Sequence, residues 1–134
     1  MNRYLALVAH DGKKREMVEL VGSCLPAVRN HQLVATETTG RAIIESYGLD
    51  VELVLSGPFG GDMQIGAMVA RGEVGMVVFL RDPLTAHPHD PDIHALMKVC
   101  DVHRIPLATN VATAQLCLRS PRLQPRAELV ASRH

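Results

Sequence analysis

Aromatic side chains are scarce in this chain: two Tyr, two Phe and no Trp, 3% of 134 residues. Because 47% of the residues are apolar, the core must be aliphatic, built from Val, Leu, Ile, Ala and Met, and the length suits one compact domain without a second. An excess of charge is missing too. Fourteen basic and fourteen acidic residues cancel, which argues against a nucleic-acid or anionic-membrane surface and leaves a small molecule as the expected partner. Long apolar runs are absent. The N-terminal run from Tyr4 to Ala9 is far too short for a signal peptide or a membrane span. The three cysteines, Cys24, Cys100 and Cys117, are odd in number, widely spaced and form no CxxC pair. They read as reduced, buried residues of a cytoplasmic protein. Neither GxxxxGK[ST] nor GxGxxG occurs, so nucleoside triphosphate and dinucleotide sites lack their usual signatures.

What the chain does have is alternation. Short apolar, β-branched runs predict strands at Tyr4–Ala9, Gln32–Thr36, Val51–Leu55, Gly75–Leu80 and Pro106–Thr109. Between them, apolar residues at three- and four-residue spacing predict helices over Lys13–Leu25, Gly40–Tyr47, Asp62–Arg71, Pro91–Val102 and Val111–Leu118. Five β-α repeats imply a five-stranded, mainly parallel sheet wrapped by helices, a single-domain three-layer α/β/α fold. Residues 120–134 contain two prolines and scattered charge, and are expected to form a surface tail with at most a short element at Ala127–Val130.

Polar clusters follow every expected strand: HDGKK from His10, TETTG from Thr36, SGPFGGD from Ser56, RDPLTAHPHDPD from Arg81 and TN from Thr109. In an open α/β sheet the carboxyl edge is where ligands bind, so these loops are expected to converge on one crevice. Thr38 and Thr39 precede a helix expected to begin near Gly40, whose free N–H groups suit a phosphate; Thr39 also reads as a plain N-cap. Lys14, one turn beyond Asp11, offers a matching positive charge or an ordinary exposed lysine. Asp11 is either a helix cap or a site residue, and His10 holds either a ligand or the fold. The titratable set Asp82, His87, His89, Asp90, Asp92 and His94 includes punctuation, since Asp90-Pro91 reads as a helix start. His87, His89 and Asp92 suggest a metal site only loosely, because they lack a ligand spacing such as HExxH; a histidine near a helix start serves acid/base chemistry equally well. In SGPFGGD, a simple N-cap accounts for Asp62 but not for three glycines before it. The alternative is a loop that wraps a substrate while Asp62 reaches its reactive carbon.

The strings VAHD, LSGPFGGDMQIGA, FLRDPLTAHPHDPDIHALMKVC and IPLATNVATA resemble the methylglyoxal synthase family from about Leu5 to Leu118. The resemblance implies a methylglyoxal-synthase-like, Rossmann/flavodoxin-like fold. It also implies a lyase that turns dihydroxyacetone phosphate into methylglyoxal and inorganic phosphate with neither metal nor organic cofactor. By the same resemblance Asp62 matches the general base, His89 the histidine acting at substrate oxygens, Asp92 a supporting carboxylate and Asp11 an orienting one. His10, Lys14, Thr36, Glu37, Thr38, Thr39, Ser56 and Gly57 match substrate-binding positions. A homohexamer inhibited by phosphate is implied as well. One residue departs from the pattern: Glu37 stands where the family usually has glycine. If positive φ were required there, Glu would cost about 1 kcal/mol or more, and an inward charge would repel phosphate. Two rival functions are a regulatory module of the same fold that binds a phosphorylated effector and a metal-dependent hydrolase.

Overall fold

Apolar residues alternate between the two faces of the strands, and the computed structural model, which describes residues 3–86 and 90–120, has helices on both. The strands are β1 (Tyr4–Ala9), β2 (Gln32–Thr36), β3 (Val51–Val54), β4 (Val74–Leu80) and β5 (Leu107–Ala108). The helices are α1 (Lys14–Ser23), α2 (Leu25–Arg29), α3 (Glu37–Tyr47), α4 (Gly61–Ala70), α5 (Asp90–Val102) and α6 (Val111–Leu118). Single 3-10 turns at Asp11–Lys13 and Gly57–Phe59 lead into α1 and α4. Sheet order is β3-β2-β1-β4-β5. All four pairings are parallel, which sharpens the expected mainly parallel sheet.

Two aliphatic layers hold the helices to the sheet. Leu5, Leu7 and Ala9 of β1 pack with Met17, Leu20 and Val21 of α1, Ile43 of α3, and Ala114 and Leu118 of α6. The alternate residues Ala6 and Val8 pack on the other face with Ile65, Met68 and Val69 of α4 and Ile93, Leu96 and Cys100 of α5. Strand order reverses between β1 and β4, because β2 and β3 extend one way and β4 and β5 the other. That reversal opens the crevice at the carboxyl ends of the two central strands.

Differences from the expected elements have local causes. The helix expected over Lys13–Leu25 is divided at Cys24, because Pro26 lies at the start of a new helix, where its missing N–H costs nothing. The helix expected from Gly40 begins instead at Glu37. Apolar periodicity could not reveal its polar first turn, Glu37-Thr38-Thr39. Cys24 and Cys100 are buried as expected, whereas Cys117 is only half-buried. Burial pushes the Cys100 thiol up to about 11, so it stays protonated and unreactive at neutral pH. The expected tail element at 127–130 lies outside the described residues. No helix among the described residues is long and apolar enough to cross a membrane.

Candidate active site

At the reversal point β1 leads into His10 and β4 into Arg81-Asp82, and a hydrogen bond ties the two diverging loops. The Asp82 backbone N–H donates to His10 Nδ1 at 2.9 Å. A ring nitrogen that accepts this bond carries no proton, so the His10 proton sits on Nε2 and the ring is a neutral donor. Phe79 packs against it edge to face, with ring centroids 5.1 Å apart and planes at 80°. Asp82 also organises the turn behind it: its carboxylate accepts the Thr85 hydroxyl at 2.8 Å and the Leu84 N–H at 3.2 Å.

A cavity of about 340 Å³ opens beside His10. The end of β1 contributes Asp11 and, from the first turn of α1, Lys14; the second loop contributes Thr36 and Thr38; the third contributes Ser56, Gly57, Pro58 and Asp62. The Lys14 ammonium is paired with Asp11 across one turn. Lys14 is largely covered while Asp11 faces solvent. Asp11 lies in the 3-10 turn, and His10 rather than Asp11 holds the capping position, so the cap reading of Asp11 fails.

Two glycines explain how Asp62 arrives. Gly60 adopts φ +102°, a left-handed conformation that turns the chain into α4. At Gly61 a Cβ would lie 1.8 Å from the Leu55 carbonyl oxygen and 3.0 Å from Thr36 Cγ2, so only glycine lets α4 start against the end of β3. Its N–H donates to the Ser56 carbonyl at 3.1 Å. Gly60 is therefore the capping residue, and Asp62, one of the four buried polar residues in the described chain, has no solvent exposure. The N-cap reading of Asp62 is thereby replaced by that of a buried carboxylate lining the cavity.

The second loop departs from expectation in detail. Thr36, extended and just before α3, makes no capping bond with its side chain; its hydroxyl instead donates to that of Thr39 at 3.4 Å. Thr39 is buried in the first turn of the helix, three residues past the capping position, so it is not the N-cap, and it does not line the cavity. Thr38 does line it, beside the first free N–H groups of α3. Glu37 begins the helix, and Arg104 is the only non-glycine residue with positive φ among those described, so the backbone strain considered for Glu37 is absent. Its carboxylate meets Arg41 one turn along, at 3.3 Å, and takes no part in lining the cavity.

Not every expected residue gathers here. Asp92 is half-buried in the first turn of α5 and is not among the cavity residues, while His87 and His89 lie outside the described residues. Asn110 caps α6 by accepting the Thr113 N–H at 2.9 Å and does not line the cavity, so the fifth loop serves the fold. Among the described residues no group of three His, Cys, Asp or Glu side chains is placed to hold a metal ion. Sequence reasoning missed Phe79, because an aromatic inside an apolar strand reads as core.

A family model described as the MGS-like domain matches residues 16–109. The methylglyoxal synthase of Burkholderia thailandensis is 60% identical over 114 residues, covering 85% of this chain and 88% of that protein. The methylglyoxal synthase of Geobacillus thermodenitrificans is 56% identical over 115 residues, covering 86% of this chain and 80% of that one. Among solved structures, a methylglyoxal synthase from Elizabethkingia anophelis superposes with a TM-score of 0.86 at 42% identity, covering 92% of this chain and 81% of that chain. The chain belongs to the methylglyoxal synthase family, with the lyases that bear the name rather than with regulatory domains of the same fold.

Proposed function

We propose that the chain converts dihydroxyacetone phosphate to methylglyoxal and inorganic phosphate, with Asp62 as the base. The observation that carries this reading is one fully buried carboxylate sharing a cavity with a neutral imidazole donor, a lysine and a helix N-terminus. Asp62 takes a proton from the hydroxymethyl carbon. The resulting negative charge moves onto the carbonyl oxygen, where the His10 Nε2–H stabilises it. This pairing of carboxylate and neutral imidazole is the one the handling of the same substrate by triosephosphate isomerase illustrates. The enediolate then expels phosphate: the C–O bond to the phosphate breaks, its electron pair leaves with the phosphate, and the hydroxyl proton is released. The remaining enolate takes up that proton at its terminal carbon and becomes methylglyoxal. Elimination needs that C–O bond to overlap the enediolate π system, so the phosphate must be gripped in one orientation.

Lys14, Thr38, the Ser56–Gly57 turn and the α3 N-terminus supply that grip. Free phosphate fits the same cradle and is therefore the inhibitor. His89 at the substrate oxygens and Asp92 behind it complete the catalytic set by family resemblance, with Thr36, Thr39 and Glu37 contributing to the second loop. The reaction uses no cofactor, and the protein works in the cytoplasm. Replacing Asp62 by Asn preserves shape and removes the base. Steady-state assay of the folded Asp62→Asn protein is expected to show kcat lowered by about 10²–10⁴ with little change in KM. A kcat within a few-fold of the parent would remove Asp62 from the role.

A further inference from the structure

The GGDMQ string contains one polar residue that neither the base nor the phosphate grip employs, Gln64. It is exposed, two residues beyond Asp62 in the first turn of α4 and therefore about 200° around the helix from it. Its side chain turns back to the strand. Pairing between β2 and β3 ends at Thr36 and Val54, so the next amide, that of Leu55, has left the sheet ladder. Gln64 Oε1 accepts the Leu55 N–H at 2.8 Å. The same peptide segment is fastened at two further points. The Ser56 carbonyl accepts the N–H groups of Phe59 at 3.0 Å and Gly61 at 3.1 Å, and the Leu55 carbonyl oxygen fills the space a Cβ on Gly61 would need.

From this we infer that Gln64 is a positioning residue: its side-chain acceptor locks the first turn of α4 onto the end of β3 and so fixes Asp62 relative to the Ser56–Gly57 turn. The inference deepens the proposed reaction and rests on it. Asp62 lies between the two fastenings, Gly61 before it and Gln64 after it. Ser56 and Gly57 follow directly on the residue Gln64 holds. Base and phosphate grip are thus set by one short closed loop, and loosening it shifts one against the other. Misplacement by about 1 Å is worth on the order of 10²-fold in rate, whereas the phosphate contacts made by Lys14 and Thr38 come from other elements and survive.

The test uses the full chain with dihydroxyacetone phosphate and three variants. Gln64→Leu removes the acceptor, Gln64→Asn retains an amide too short to reach, and Gln64→Glu retains an acceptor oxygen at full length. Gln64→Leu and Gln64→Asn are expected to lose about tenfold or more in kcat with KM within about twofold, and Gln64→Glu to recover most of it. A merely structural role would lower the melting temperature and leave kcat of the folded protein unchanged. Either kcat within twofold of the parent in folded Gln64→Asn, or equal losses in the Glu and Asn variants, overturns the inference. Amide exchange at Leu55 gives a readout independent of turnover: protection is expected in the parent and the Glu variant and lost in the other two, and an unprotected parent amide also overturns it. Should the parent itself release no methylglyoxal, the proposed reaction fails, and the exchange result still decides whether Gln64 holds the loop.

Discussion

A single carboxylate behind three glycines makes sense one residue at a time. Gly60 supplies a conformation, Gly61 supplies absence of a side chain, and Asp62 is delivered to a place with no solvent exposure. A methyl group at position 61 would sit 1.8 Å from a backbone oxygen, which has no rotamer by which to move aside. Gly61→Ala is accordingly expected to destabilise the fold by about 1–3 kcal/mol in urea unfolding, and the protein that remains folded is expected to turn over far more slowly. Full activity and stability in that variant would mean α4 does not depend on the close approach. Glu37 illustrates the opposite case: a substitution that looked costly from sequence is accommodated because the position is an ordinary first helical residue and Arg41 stands one turn away to receive its charge. Residue type alone could flag Asp62 and Lys14, but the His10 tautomer became assignable only when the Asp82 amide was seen to donate to Nδ1.

Elements were legible to the extent that apolar patterning defines them. β1 and β2 and the last helix, α6, have the bounds their sequence predicts, since runs such as YLALVA and QLVAT are bounded by polar turn residues. Helix starts were less legible. The first turn of α3 is polar, and a helical turn that faces a crevice contributes nothing to the apolar period, so α3 starts three residues earlier than Gly40, whereas Asp90-Pro91 marked the start of α5 to within a residue. Thr38 lies in the first turn of α3 and Asp62 in that of α4, and both line the cavity. The expected convergence of five loops holds for the first three, while Asn110 in the fifth is occupied in capping its own helix. A cap and a ligand-facing residue draw on the same amino acids, and sequence offers no way to separate them.

At the scale of the whole molecule, chain reversal between β1 and β4 places the site, and the aliphatic layers on both sheet faces hold it open. Leu55, Phe59 and Met63 are exposed on and beside the loop that brings Asp62 to the cavity, at 52%, 78% and 60%. We propose that copies of the chain bury such surface in a homohexamer, as the family resemblance implies. Light scattering is expected to give the mass of six protomers, and a monomer across the working concentration range would refute it. The central claim is chemical, however, and concerns the fate of one bond. Phosphorus and proton NMR of dihydroxyacetone phosphate incubated with the purified chain in the presence of a chelator follows that bond directly. Methylglyoxal and inorganic phosphate appearing in equal amounts is the predicted result; glyceraldehyde 3-phosphate in their place, or an unchanged substrate that nevertheless binds, would contradict it.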